Sequence, residues 1–164
     1  MDHEKLFALA KPYLDKNDLG SAHTSRVLSI ARKNFPIPKE IEDLTISAIT
    51  LHDIGGSSIR EQYEKGPAFA RTVLQEMGCN EDFMRQVSEI VGTHHDHPDE
   101  PSKAFRILYD SYKIVMFSPE EFSIYDARPN FEWEKIIGLI YTERGRKLAK
   151  DLLKERKQEK KQKK

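Results

Sequence analysis

Imidazole and carboxylate groups recur along this chain at positions where helical spacing predicts burial. The segment AITLHDIGGSS, residues Ala48 to Ser58, ends an apolar run with His52 and Asp53, directly before Gly55 and Gly56. Residues three or four apart share a helix face. His52 therefore lies with Leu44 and Ala48, Asp53 continues from Ile49, and His23 lies with Val27 and Ile30. By the same spacing His94 continues from Val87 and Ile90, and Asp110 falls between Ile107 and Ile114. A single histidine on an apolar face is most often a core residue with one hydrogen bond. Five such groups on four helices point further. Each is costly to desolvate alone, and one divalent cation would satisfy imidazole nitrogens and carboxylate oxygens together. His52 and Asp53 also stand in the last turn before Gly55, where unpaired carbonyls favour positive charge.

Cys79 is the only cysteine, so the chain has no internal disulfide and no thiolate zinc cluster. A mixed nitrogen and oxygen donor set suits Mn, Fe, Co or Ni at least as well as Zn. His95 is a helical neighbour of Val91, whereas His97 precedes Pro98 and belongs on an exposed turn. Tyr63, Tyr109 and Tyr125 are candidates for stacking on a base, although no spacing links them.

The elements that must hold these residues read as helices almost throughout, with no alternating apolar and polar run. A first helix covers about Glu4 to Lys16, with Pro12 inside it. GSAHTSRVLSIARKNF offers Ser21 as a cap and ends at PIP. A third helix runs from Lys39 and stops before Gly55, and SSIREQYEK then reads as a loop. GPAFARTVLQEMG has proline where a helix starts and glycine where it ends. NEDFMRQVSEIVGTHH opens on an Asn80 cap, and SKAFRILYDSYKIVMF carries Asp110. Pro119 to Pro129 reads as irregular, and a final helix from Phe131 has a break near Gly138 or Gly145.

The 164 residues, 38% of them hydrophobic, suffice for one all-α domain with a real core. No apolar run reaches a membrane span, and the charged beginning MDHEKLFALAKPYLDK is unlike a signal peptide, so a soluble cytoplasmic protein is expected. The zero net charge hides a basic end: DLLKERKQEKKQKK has seven Lys or Arg against three Asp or Glu. The plain reading of that tail is a solvated helix end, and neither a nucleic acid nor a membrane is an expected partner.

Taken in order, these motifs resemble the HD-domain metal-dependent phosphohydrolase superfamily. Its order of H, then HD, then D falls on His23, His52 with Asp53, and Asp110, within HTSRVLSIA, AITLHDIGG and ILYDSYKI. EKGPAFARTVLQEMG, IVGTHH and TERGRKLAKDLL also match. The resemblance implies a compact HD-domain bundle of about six to eight helices over residues 1–150, with 151–164 a basic helical or frayed tail. It also implies a phosphohydrolase acting on a nucleotide or similar small phosphate ester through a metal-activated water. One divalent ion would be held by His23, His52, Asp53 and Asp110. Asp53, His94 and His95 would serve the chemistry, the two histidines at the substrate phosphate or in proton transfer. Gly56 stands where many members carry lysine, which leaves Arg26, Arg60 or Lys65 to contact the phosphate. No further histidine follows the doublet in GGSSIREQYEKG, so one metal is implied rather than two. The alternative is a domain that binds a nucleotide or metal as a sensor without turnover. A homo-oligomer is compatible with either.

Overall fold

The computed structural model describes residues 1–163, and the all-α expectation holds among them, with no strand. The helices are α1 (His3–Leu14), α2 (Gly20–Asn34), α3 (Glu42–Leu51), α4 (Ile59–Glu76), α5 (Glu81–Val91), α6 (Lys103–Val115), α7 (Phe122–Asp126), α8 (Trp133–Leu139) and α9 (Glu143–Gln162). A single 3-10 turn, Lys39–Ile41, leads into α3. The described chain divides into two compact units, Met1–Leu108 and Tyr109–Lys164. No described helix is long and apolar enough to cross a membrane.

In the first unit, α3 is the helix buried on every side: Thr45 through Leu51 are all inaccessible. Its threonine hydroxyls are satisfied within the helix, Thr45 donating to the Ile41 carbonyl at 2.7 Å and Thr50 to the Ile46 carbonyl at 2.8 Å, which lets the helix lie in a core. Leu6, Ala10 and Leu14 of α1 join Leu51 and Ile54 from the α3 end, Ala70, Val73 and Leu74 of α4, and Met84, Val87 and Val91 of α5. Each large aliphatic side chain so buried contributes about 1.5–3 kcal/mol. This packing fixes where the C-terminal ends of α3 and α5 stand, and those ends carry the histidines.

Three local expectations need correction. SSIREQYEK is not a loop but the first two turns of α4, which begins at Ile59 and passes through Pro67. Ser58 caps it by accepting from the Glu61 amide at 3.1 Å, and its hydroxyl bonds the Glu61 carboxylate. This is an S-x-x-E box, a start signal more specific than the proline read as the helix start. Ser21 is not the cap of α2, because Leu19 holds that position and the Ser21 amide donates to Asp15 Oδ1 at 2.9 Å. Pro119 to Pro129 is not wholly irregular, since it contains α7.

In the second unit, Trp133 stacks on Phe122 with ring centroids 4.6 Å apart, and Phe117 and Phe131 pack around it. Its indole N–H donates to Asp126 Oδ1 at 2.9 Å, so the large ring is buried with its polar atom satisfied. The expected break in the last helix lies at Ile140 to Thr142, where Thr142 caps α9 by accepting from the Gly145 amide. From there α9 runs unbroken past residue 150, with Leu153 and Arg156 buried, so the basic segment continues a packed helix.

Candidate metal centre

Two histidines in the first unit are set by the same local device. His52 follows the last residue of α3, and its Nδ1 bonds the Ile49 carbonyl three residues back at 2.6 Å. His94 lies just past α5, and its Nδ1 bonds the Val91 carbonyl, again three residues back, at 2.8 Å. Helix C-termini leave carbonyls without intrahelical donors. Each imidazole donates its Nδ1–H to one of them, which leaves Nε2 as the lone-pair atom and holds the ring at a set angle.

Both Nε2 atoms face Asp53, the carboxylate at the middle of the group. His23 Nε2 lies 3.2 Å from Asp53 Oδ2, while His52 Nε2 and His94 Nε2 lie 3.4 and 3.9 Å from Oδ1. The rings of His23 and His52 are 5.6 Å apart, and those of His52 and His94 are 5.4 Å apart and nearly perpendicular. His94 is wholly inaccessible and His52 almost so, whereas the Asp53 side chain keeps 19% exposure. Solvent therefore reaches the group chiefly through its carboxylate, with a smaller exposed edge at His23. His23, His52 and Asp53 offer ligand atoms all within 4.8 Å of one another and can hold a metal ion. The donors suit a divalent ion that accepts both nitrogen and oxygen.

Burial raises the Asp53 carboxyl, but His52, His23 and His94 outweigh it and hold the group well below the usual carboxylate range. Burial, reinforced by His52 and His95, pushes His94 down to about 3 from its ordinary 6.5. His94 is thus a neutral lone-pair donor at neutral pH. An acid titration of metal-free protein tests this. Because the folded-state pKa is the lower one, unfolding takes up a proton at His94 between about pH 6.5 and 3, and stability falls as pH drops through that window. His94→Gln is expected to flatten the slope of urea-unfolding free energy against pH by up to one proton between pH 6 and 4. An unchanged slope would refute the neutral assignment. The Asp53 contribution is lost at lower pH, from the usual carboxylate range downward.

The turn that carries the doublet is held from both sides. Asn17 donates to the Asp53 carbonyl at 2.7 Å, and the Asp18 amide donates to Ser57 Oγ at 3.1 Å. Gly55 lies directly against α4, where a Cβ would come within 2.6 Å of the Glu61 carbonyl oxygen and 2.7 Å of the Gly66 nitrogen. Gln62, 5% exposed, donates to the Gly56 carbonyl and accepts from His95 Nε2 at 2.5 Å. Tyr63 donates to Asp96 Oδ1 and accepts from the His95 amide, both at 2.9 Å, and burial with Asp96 nearby pushes its hydroxyl up to about 12. Sequence reading misses Asn17 and Gln62, and it offers Tyr63 only as a candidate for stacking on a base. Recognising the Ser58–Glu61 box would have placed the last two on a helix, one of them facing inward.

The other site candidates fall in different places. Asp110 belongs to the second unit, where it is inaccessible and accepts from the Tyr141 amide (2.8 Å), the Thr142 amide (3.0 Å) and the Thr142 hydroxyl (2.8 Å). Its visible work is to anchor the start of α9. The Arg60 side chain is 84% exposed and bonds Glu64, and Lys65, also exposed, lies 3.8 Å from Glu61. Arg26 is half-buried, three residues beyond His23 on α2. Gly56 has a φ of +147°, a conformation that disfavours a lysine there, and the Glu61 side chain fills the space beside it.

A family model described as HD domain matches residues 20–163. No curated protein and no solved structure matches the chain.

Proposed function

Because the chain belongs to the HD-domain family, whose members are mostly metal-dependent hydrolases, we propose that it hydrolyses a phosphate ester of a nucleotide or similar small molecule. The observation that carries this reading is the convergence of three imidazole Nε2 atoms on one solvent-reached carboxylate, two of them aimed by bonds to helix-end carbonyls. A divalent ion there, Mn, Fe, Co, Ni or Zn, would lower the pKa of a bound water and polarise a phosphoryl oxygen. His23, His52 and Asp53 would hold it, with Asp110 as the proposed further ligand and neutral His94 beside them.

In the reaction a water oxygen forms a new bond to phosphorus, the ester P–O bond breaks, and a proton must reach the leaving oxygen. Half-buried His95, oriented by Gln62 and Tyr63, is the proposed carrier of that proton. Asp53 orients the water, and Arg26 is the proposed contact for the substrate phosphate, since Arg60 and Lys65 are spent on exposed ion pairs. One observation favours the sensor reading: the position of the family lysine is glycine with an acidic neighbour, which weakens the grip on a transferring phosphoryl group.

The test is metal content of protein purified without chelators, then turnover of a phosphomonoester and nucleotide panel with each of the five metals. About one metal per chain with turnover supports the hydrolase. Metal and nucleotide binding without turnover supports the sensor, and a chain that retains none of the metals refutes both. Asp110→Asn and Thr142→Val separate two roles for Asp110. Asp110→Asn removes the buried carboxylate, whereas Thr142→Val removes one hydrogen bond to it, worth about 1.5–3 kcal/mol, together with the hydroxyl that caps α9. If Asp110 is a ligand, only Asp110→Asn loses metal. If it serves α9 alone, both variants melt earlier and both keep the metal.

A further inference from the structure

Helix α9 sorts its charges into rows. Arg146, Lys150, Lys154, Lys157 and Lys161 follow one another at three- or four-residue spacing, which puts them on one face. Asp151, Glu155 and Glu159 form a separate four-residue row. A helix built only for solubility gains from alternating signs at i, i+4, whereas like charges at that spacing cost about 0.2–0.5 kcal/mol per pair. The basic row contains three such pairs: Arg146 with Lys150, Lys150 with Lys154, and Lys157 with Lys161. Lys150, Lys154, Lys157 and Lys161 are exposed, and no ion pair among the described residues involves them. Arg146 is fixed at the head of the row by donating to the Ile140 and Tyr141 carbonyls, both at 2.9 Å.

The row is also one wall of a groove of about 740 Å³ between α8 and α9, with Glu134, Ile137 and Gly138 opposite, so five cations face a single carboxylate. Gly138 is in a helix and has no positive φ. A Cβ there would meet nothing within 4 Å, so neither backbone conformation nor packing calls for glycine. What the glycine does is leave α8 backbone open to whatever enters the groove.

We propose that this groove binds the phosphodiester backbone of a single-stranded nucleic acid, independently of sequence. The charges span about 22 Å at 1.5 Å per residue, enough to follow several phosphates in a strand. Ile137 and Leu153 in the groove are only 7% and 6% exposed, so the wall offers cations without an apolar anchor. A protein interface needs such an anchor, and so does a membrane-surface helix. A polyanion held by charge does not. Composition presents the basic end as solvated; its alignment along a groove argues for a ligand. The proposal is independent of the metal centre.

The test is fluorescence anisotropy of a labelled 20-nucleotide single strand with the full chain, across a salt series. Four engaged lysines give a slope of log K against log salt of about −3. Lys150→Glu/Lys154→Glu/Lys157→Glu is expected to weaken binding at least tenfold at 100 mM salt. Lys16→Glu/Lys39→Glu/Lys103→Glu, an equal charge change on exposed lysines elsewhere, should have less than a twofold effect beyond that of net charge. Gly138→Leu fills the groove without altering charge and should weaken binding at least threefold. Equal losses in the two triple variants would reduce the effect to net charge and overturn the proposal. So would retention of phosphatidylserine vesicles or polyglutamate in preference to the strand, or no binding at 50 mM salt.

Discussion

Asp53→Asn is expected to purify without metal and to lose hydrolysis while keeping its helical circular dichroism. The substitution preserves shape and removes the negative charge on which His23, His52 and His94 converge. Losing a partner that only orients a ligand costs metal sites about 10- to 100-fold in affinity. Losing the carboxylate on which the clustered donors converge should cost more, because a neutral amide neither balances a divalent charge nor offers two equivalent oxygens. Metal per chain by atomic emission and a Mn²⁺ titration by calorimetry measure it. Stoichiometric metal in the Asp53→Asn protein would remove Asp53 from the ligand set and the proposed chemistry with it. The depressed Asp53 carboxyl works in the same direction for stability: its charged form contributes above the ordinary carboxylate pKa, and that contribution disappears as pH falls into the strongly acid range. Asp53→Asn should lack this acid-dependent part.

The second large effect is expected at a residue with no chemistry of its own. Gly55→Ala adds one carbon whose nearest neighbours are backbone: the Glu61 carbonyl oxygen at 2.6 Å, the Gly66 nitrogen at 2.7 Å and Gln62 Cα at 2.8 Å. A side chain could rotate away, but α4 can only translate, and that shift would reach Gln62 and through it His95. Overpacking typically costs 1–3 kcal/mol, and backbone on every side puts this site at or above the upper end. For a chain of this size about 3 kcal/mol lowers the melting temperature by roughly 6–12 °C. Gly78→Ala is the useful contrast, because Gly78 has a φ of +76° with nothing within 4 Å of a Cβ, leaving only the left-handed backbone cost of about 1–2 kcal/mol. Gly55→Ala should melt well below Gly78→Ala and bind metal more weakly than wild type. Equal melting of the two would show that the turn is not wedged against α4.

Periodicity exposed the site because it is a local property. His23, His52, Asp53 and His94, which the structure brings together, and Asp110, which it places on the bonds at the start of α9, could each be singled out since a polar residue in an apolar phase is visible within one helix. The Asn80 cap was equally local and holds, accepting from the Phe83 amide at 2.8 Å. A familiar local signal can outweigh a stronger one: Pro67 reads as a helix start, although Ser58 and Glu61 mark the true start eight residues earlier.

The residue types and their phase were enough to establish an all-helical chain with a histidine and carboxylate cluster suited to a divalent ion. Distance was not available from them. That Asp53 is the hub, that His94 is sealed and neutral, and that Gln62 ties the His52–Asp53 turn to His95 all depend on α3, α4 and α5 being brought together. Asp110 shows the same limit, since the hydrogen bonds it accepts at the start of α9 come from residues more than thirty positions away. Helical phase is written in four consecutive residues, whereas the separation between two side chains on different helices is set by the packing of everything between them.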